Sequence, residues 1–255
     1  MIGISAMAIH FLRRLSGKRR TERANEHLGF ALAFVAGAAN AGGFLAVAQY
    51  TSHMTGILSS MADNLVLGYV GMSAAGLGAL LSFLCGAACS AVLINWAKRQ
   101  RLHSAYALSL MLEAFLLLCF GLAGANLTHH MGFYVSLTVM LLCFIMGLQN
   151  AIITKISHSV IRTTHVTGVV TDLGIELGKL FYWNRQPSLP SESRVMGNRM
   201  KLRLLATLLL MFFVGALSGA YGFKHVGFIS TVPLAVILLV LAIVPVVDDV
   251  VVRFK

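Results

Sequence analysis

The sequence predicts an all-α integral membrane protein with six transmembrane helices. We expect two inverted three-span repeats, each with a short re-entrant or half-helix after its first span. Composition, the spacing of the long apolar stretches and a pair of repeated motifs support this prediction. Of the 255 residues, 58% are hydrophobic and 11% are charged, whereas soluble domains have about 45–50% apolar and about 25% charged residues. So much apolar surface requires lipid as a second solvent.

The formal net charge of +11 is carried by short basic clusters between the apolar stretches. Such clusters are typical of topology signals that contact anionic headgroups, so we expect a lipid bilayer and no nucleic acid as partner. The four cysteines lie within apolar stretches and lack the spacing of a metal site. We therefore interpret them as packing residues and expect no metal or cofactor.

Residues 1–27 form a basic N-terminal segment. Its apolar part precedes its arginines and lysines, which is the reverse of the order in a cleaved signal peptide. We expect this segment to be retained on the cytoplasmic side, at the membrane surface.

Six apolar stretches have about the 20 residues that a helix needs to cross a bilayer. They cover residues 28–49, 71–97, 105–125, 131–152, 202–223 and 226–247. Two shorter segments, 54–69 and 166–182, carry charged and amide side chains, and they either cross the membrane or enter it and return. With six spans and a cytoplasmic N-terminus, 19 of the 20 lysines and arginines face the cytoplasm, against 14 with eight spans. The positive-inside rule therefore favours six spans and cytoplasmic termini.

Two sequence blocks occur once in each half of the chain. The block F-x-x-G-x-x-N-A covers residues 34–41 and 144–151, and the block T-[ST]-H-[MV]-T-G covers residues 51–56 and 163–168. Two blocks in the same order indicate a duplication. The predicted repeats are residues 28–127 and 128–255, which an odd number of spans would place in opposite orientations. Inverted repeats recur in secondary transporters.

The first block also predicts a helix break. Adjacent glycines are costly within a helix, so we expect the first span to break at residues 40–43. Beyond the break, hydroxyl side chains at Thr51, Ser52, Thr163 and Thr164 are suitable caps for new helices. The two short segments would then be half-helices, whose N-termini favour an anion or a polar group.

The Asn-Ala-Gly-Gly run at residues 40–43, followed by the T-[ST]-H-[MV]-T-G block, resembles the YoaK-like bacterial membrane proteins (domain of unknown function 1275). The resemblance extends over residues 25–250. This chain has Asn40 where many members have Asp, and Ile57 where the family motif has Asn. The resemblance implies a bacterial inner-membrane protein with a transporter-like plan and no established substrate.

The candidate solute-binding residues lie in and beside the two repeated blocks. They are Asn40, Thr51, Ser52, His53, Thr55, Gly56, Gln149, Asn150, Thr163, Thr164, His165, Thr167 and Gly168. The two histidines occupy equivalent positions. They either bind solute or protons, or satisfy backbone groups freed by the helix breaks.

Four acidic residues are candidates for proton or ion coupling. Glu113 lies near the centre of a predicted span, where a carboxylate is costly unless it is protonated, paired or hydrated. The alternative for Glu113 is a polar partner on a neighbouring span. Asp63, Asp172 and Glu176 lie on the short segments, and Lys179 is a natural partner for Glu176. An ion pathway and a simple salt bridge remain equally open for them.

These residues predict a secondary transporter or permease for a small polar or anionic solute. A homo-oligomer is compatible with the small volume that six spans enclose. The alternative is a non-transporting membrane protein: a sensor, an assembly factor or a lipid-binding scaffold. We do not expect an enzyme, because the sequence has no phosphate-binding loop, no H-E-x-x-H and no G-x-S-x-G motif.

Overall fold

The computed structural model of the protein describes residues 22–102, 104–124, 133–157, 160–182 and 195–253. Within these ranges the regular secondary structure is helical. The α-helices are α1 (Glu22–Val47), α2 (Met54–Val66), α3 (Val70–Arg99), α4 (Ala107–Gly124), α5 (Phe133–Ile156), α6 (Val166–Phe181), α7 (Arg199–His225) and α8 (Thr231–Arg253), with a 3₁₀ turn at Gly227–Ser230. Most of the expected N-terminal surface segment, residues 1–21, lies outside the described residues.

Six of these helices are long and apolar enough to cross a membrane: α1, α3, α4, α5, α7 and α8. They coincide with the six predicted spans, which are confirmed to within a few residues at their ends. The two short segments are also helical, as α2 and α6. With 13 and 16 residues, they are about 20 and 24 Å long, too short for a hydrocarbon core of about 30 Å.

The predicted break at residues 40–43 is wrong. Helix α1 continues through this run to Val47, and α5 likewise passes Asn150 and ends at Ile156. Tertiary packing compensates for the glycines, since a methyl group at Gly42 would overlap the ring of Phe223. The glycines therefore provide close helix contacts, as in many membrane proteins, and the chain leaves the helix only at Ala48, whose φ is +54°.

Two helix pairs, α1–α7 and α3–α5, make the closest contacts in the bundle. At each crossing, a methyl group on a glycine would overlap a backbone carbonyl of the partner helix. These contacts pair Gly37 with Phe212, Gly215 with Phe34, Gly86 with Phe144 and Gly147 with Phe83. Small residues at such crossings allow backbones to approach closely, which stabilises helix pairs in lipid.

The contacts also fix the helix directions. Helices α1 and α5 are antiparallel, since Gly29 packs near Ile153 and Gly43 near Leu142. Helices α4 and α8 are antiparallel as well, because the Ser104 N–H donates to Asp249 at 2.7 Å at one end and Gly124 meets Phe228 at the other. Within α1–α7 and within α3–α5 the helices are parallel.

These directions bring the basic ends of the helices together. We call this face the basic end; it carries Lys98, Arg99, Lys155, Lys201 and Arg203. The face at which α1 ends and α3 begins is called the opposite end. Exposed apolar side chains cover the flanks between the two, among them Leu81, Leu84 and Val92 on α3 and Leu210, Phe213 and Leu217 on α7.

Candidate functional site

Helix α2 begins beside α1 and short of its end, because the chain turns back after α1. The backbone N–H and the hydroxyl of Ser52 both donate to Asn40 Oδ1, at 3.2 and 2.9 Å. Asn40 lies seven residues before the end of α1, which is about 10 Å along the helix. From there α2 runs back towards the opposite end beside α3, where the Ser73 hydroxyl donates to the Met61 carbonyl at 3.1 Å.

Helix α6 begins in the same way beside α5. The Thr164 hydroxyl donates to Asn150 Oδ1 at 2.7 Å, and the Asn150 amide donates to the Met146 carbonyl at 2.7 Å. The two asparagines of the repeated block therefore hold the starts of α2 and α6.

The predicted hydroxyl caps are wrong. The N-cap residues are His53 and His165, and neither makes a side-chain capping hydrogen bond. The hydroxyls of Ser52 and Thr164 donate instead to the side chains of Asn40 and Asn150. The hydroxyls of Thr51 and Thr163 are buried without a hydrogen-bond partner among the described residues, so they do not cap either.

A cavity of about 610 Å³ lies between the N-termini of α2 and α6. We call it the central cavity. Its lining residues are Asn40, Tyr50, Ser52, His53, Met54, Thr55, Phe83, Thr164, His165, Val166, Thr167, Gly168 and Phe212. The structure thus brings most of both predicted motifs together around one space, and none of these lining residues is acidic.

Electrostatically, the central cavity favours negative charge or hydrogen-bond acceptors. The first backbone N–H groups of a helix have no partner within the helix, and its dipole is positive at that end. Here two such ends face one space. Burial, followed by the positive charge of Arg162, lowers the pKa of His165. Across the described ranges, no group of three His, Cys, Asp or Glu side chains is placed to hold a metal ion.

A second cavity of about 540 Å³ opens at the opposite end, between α2, α3 and the end of α1. We call it the vestibule. Tyr50 and His53 line both spaces, so they stand at the boundary between them. The Tyr50 ring stacks on Phe44, with centroids 4.4 Å apart, and the His53 ring covers Gly56, where a methyl group would overlap it.

Sequence reasoning missed three aromatic side chains of the central cavity. Tyr50 directly precedes a motif that was recognised. Phe83 and Phe212 begin a third repeated block, F-x-x-G-A, at residues 83–87 and 212–216. That block was visible in the sequence and would have identified α3 and α7 as walls of the site.

At the basic end, α6 is tied to the start of α7. Glu176, whose side chain is 4% exposed, pairs with Lys179 at 3.1 Å and Lys201 at 3.7 Å. It also accepts the Asn198 N–H at 2.8 Å, and Lys201 reaches Asp172 at 3.6 Å. These five residues are the α6 ion-pair cluster. The hydrogen bond from Asn198, followed by the contacts of Lys179, lowers the pKa of Glu176.

A small cavity lies beside the first turn of α6, next to the central cavity. This cavity, bordered by Val166, Val169 and Leu208, holds only about 10 Å³. The expected Glu176–Lys179 pair is present, although Lys201 and Asn198, more than twenty residues further along the chain, complete the cluster.

Glu113 is fully buried on α4 but lines neither the central cavity nor the vestibule. Gln149 on α5 is the polar side chain that faces it, although the two groups fall short of hydrogen-bond geometry. Within the described part of the chain, both oxygens of Glu113 and both polar atoms of Gln149 lack a partner. Asp63 is exposed on α2. The four candidate coupling residues therefore lie in three separate places.

The six long apolar helices identify the chain as a multi-pass helical membrane protein. It belongs to the family described as "Protein of unknown function (DUF1275)", which it matches over residues 28–244. No curated protein and no solved structure matches the chain. An activity must therefore be argued from the site itself.

Proposed function

We propose that the protein is a secondary transporter or permease for a small polar or anionic solute, which binds in the central cavity. One observation carries this proposal: two short helices begin beside Asn40 and Asn150, short of the ends of α1 and α5. Each is preceded by a histidine, and both N-termini face the same cavity of about 610 Å³. Such half-helix N-termini are how several transporter folds bind anionic groups near the membrane midplane.

The proposal includes an inverted repeat, with α1–α4 as one copy and α5–α8 as the other. Equivalent contacts support it: Ser52 binds Asn40 as Thr164 binds Asn150. The glycine contacts of α1–α7 also recur in α3–α5 with the roles of the two copies exchanged. The antiparallel course of α1 and α5 is what an inverted arrangement requires.

The size and lining of the central cavity support the solute class. A volume of about 610 Å³ is within the range of about 300–1,000 Å³ for small-molecule sites. The unpaired N–H groups, the hydroxyls of Thr55 and Thr167 and the two imidazoles provide donors. The rings of Phe83 and Phe212 would exclude water and hold the non-polar part of a solute.

The difference between the two ends supports alternating access. Tyr50 and His53 line both the vestibule and the central cavity, while the α6 ion-pair cluster joins α6 to α7 at the basic end. This arrangement fits a state open to the opposite end. The positive-inside rule assigns the basic end to the cytoplasm, in a bacterial inner membrane.

Glu113 is the proposed coupling group. It faces Gln149, and the next residue of α5, Asn150, holds Thr164 at the wall of the central cavity. A change in the protonation of Glu113 and a movement of α6 would therefore both affect the same turn of α5.

Reconstituted protein tests the proposal. Proteoliposomes on a solid-supported membrane would be exposed to jumps of phosphate, sulfate, acetate or succinate, and we expect a transport current for at least one of them. His53→Ala combined with His165→Ala should abolish that current. His225→Ala, an exposed histidine beside Tyr221, is the control and should leave it unchanged.

Currents that survive the double substitution would show that the solute binds elsewhere. The absence of both a current and uptake of the radiolabelled anion, for all four anions, would contradict transport of small anions and favour the non-transporting alternative.

A further inference from the structure

Buried polar side chains lie between Glu113 and the basic end, along the interface of α3, α4 and α5. Ser109 lies one helical turn from Glu113 towards the basic end, on the same face of α4. The Ser90 hydroxyl on α3 donates to the Ser109 hydroxyl at 3.4 Å. Ser90, Ser109 and Glu113 are all completely buried.

Further polar groups lie beside Ser90, towards the surface. The next residue, Ala91, accepts a hydrogen bond on its carbonyl from Lys155 Nζ at 3.4 Å. Lys155 also donates to the Asn95 side chain at 2.8 Å, and Asn95 is exposed. Polar groups therefore extend from the level of Gln149, near the α3–α5 crossing, to the basic end.

No described charged side chain is placed to hold a negative charge on Glu113. On the helices packed against α4, the described charged residues stand at or near the basic end: Lys98 and Arg99 on α3, Lys155 on α5 and Asp249 on α8. Lys98 lies over the ring of Tyr106, Lys155 binds Asn95, and Asp249 accepts the Ser104 N–H. An unpaired carboxylate within a membrane span is costly, which favours the neutral acid.

Hydroxyl groups are suited to pass a proton, because each can donate and accept at the same time. Alanine at positions 90 and 109 would pack in the same interface without burying polar atoms, so packing alone does not require the two serines. The two serines lie between the carboxyl group and the basic end of the bundle.

We propose that Glu113 is a proton-binding site and that Ser109 and Ser90 form its route to the basic end. In one transfer, the Ser109 hydroxyl gives its proton to the Glu113 carboxylate and takes one from Ser90, which takes one from the basic end. The net change is one proton added to the carboxylate. This inference extends the proposed function, in which Glu113 is the coupling group, but it holds whether or not the central cavity binds a solute.

Infrared spectroscopy of the protein in nanodiscs tests both parts without a transport measurement. We expect the C=O stretching band of a protonated carboxylic acid at neutral pH, and its loss in Glu113→Gln. Gln149→Met keeps the acid but changes its neighbour, so it should move the band. If the band is unaffected by both substitutions, Glu113 does not hold the proton and the proposal is overturned.

The route is tested by transfer to D₂O, which shifts the same band. Ser90→Ala combined with Ser109→Ala should slow this shift by about tenfold or more, as expected for a raised proton-transfer barrier. Ser218→Ala, which removes an exposed hydroxyl bound to its own helix, is the control and should leave the rate unchanged. An unchanged rate in the double variant would overturn the route while leaving the binding site intact.

Discussion

Helices α2 and α6 make similar contacts at their N-termini and different contacts beyond their first turns. Each short helix starts beside an asparagine of a long helix and is preceded by a histidine. Beyond its first turn, α2 borders the vestibule of about 540 Å³, whereas α6 is joined to α7 by the α6 ion-pair cluster.

The difference can be assigned to particular positions. At the repeat offset of the second block, Asn64 corresponds to Glu176 and Ser60 to Asp172. At the offset of the F-x-x-G-A block, Met72 corresponds to Lys201. Asn64, Ser60 and Met72 all line the vestibule. Charged side chains therefore join α6 to α7 at the positions where uncharged side chains of α2 and α3 line the vestibule.

The comparison separates a shared frame from a variable part. The asparagine bonds and the glycine crossings are the same on both sides and fix where the short helices begin. The outer surfaces of α2 and α6 differ, so they are the parts that a change of state would move. Four substitutions or conditions test this division, from the largest expected effect to the smallest.

The shared frame should be the most sensitive to substitution. Gly37→Ala and Gly147→Ala each place a methyl group against a backbone carbonyl, so we expect a loss of about 1–3 kcal/mol or more in unfolding free energy. Thermal unfolding in detergent measures it. Gly71→Ala and Gly178→Ala meet nothing within 4 Å and are the controls; an equal loss there would refute the role of the crossings.

Removing the charge of Glu176 should loosen the contact between α6 and α7 at the basic end. Glu176→Gln weakens its bonds to Asn198, Lys179 and Lys201, so α6 should separate from α7 more often. In a cysteine-free background carrying Thr167→Cys, we expect labelling by an impermeant maleimide from the basic end to rise about tenfold. Asp63→Asn, which removes an exposed acid of α2, should not change it. Unchanged labelling in Glu176→Gln would show that the cluster does not close this end.

Lowering the pH should have the same effect as Glu176→Gln, because protonation also removes the charge of Glu176. The pKa of Glu176 is lowered in the folded protein. The stability that the ionised carboxylate contributes is therefore present above its unfolded-state pKa and is lost as the pH falls through its folded-state pKa. Thiolate reactivity itself falls with pH, so labelling of Thr167→Cys from the basic end is divided at each pH by that of a fully exposed reference cysteine. This ratio should rise as the pH is lowered into the acidic range. Glu176→Gln should remove most of this dependence, and an identical pH profile in that variant would assign it to another group.

Introducing the Glu176–Lys201 pair at the equivalent positions of α2 and α3 should have the smallest effect, because the new ion pair is exposed. Asn64→Glu combined with Met72→Lys places an acid and a base where α6 and α7 have Glu176 and Lys201. An exposed pair contributes about 0.2–1 kcal/mol, so labelling of Thr55→Cys from the opposite end should fall severalfold at most. Met72→Lys alone is the control, and an equal decrease there would indicate obstruction by the lysine alone.

The sequence predicts the spans and the starts of the two short helices because both depend on local patterns. Long apolar runs specify the six helices, and the repeated Thr-His-Thr-Gly blocks mark the starts of α2 and α6. The helix break at residues 40–43 was wrong because glycine propensity is local, while the contact of Gly42 with Phe223 joins distant parts of the chain.

Other features needed tertiary information for the same reason. The spacing of Glu176 and Lys179 predicts one ion pair, but nothing local indicates that Asn198 and Lys201 join it. Similarly, the sequence places Glu113 within a span, whereas its separation from the central cavity and its approach to Gln149 follow from helix packing.

Accessibility of a single cysteine in the central cavity, measured from both sides of the membrane, tests the central claim most directly. In a cysteine-free protein with Thr55→Cys, we predict labelling by an impermeant maleimide from the opposite end in the wild-type background. The added Glu176→Gln substitution should shift labelling towards the basic end and reduce it from the opposite end. Labelling from one end only in both backgrounds, or from neither, would contradict a cavity that opens alternately to the two sides.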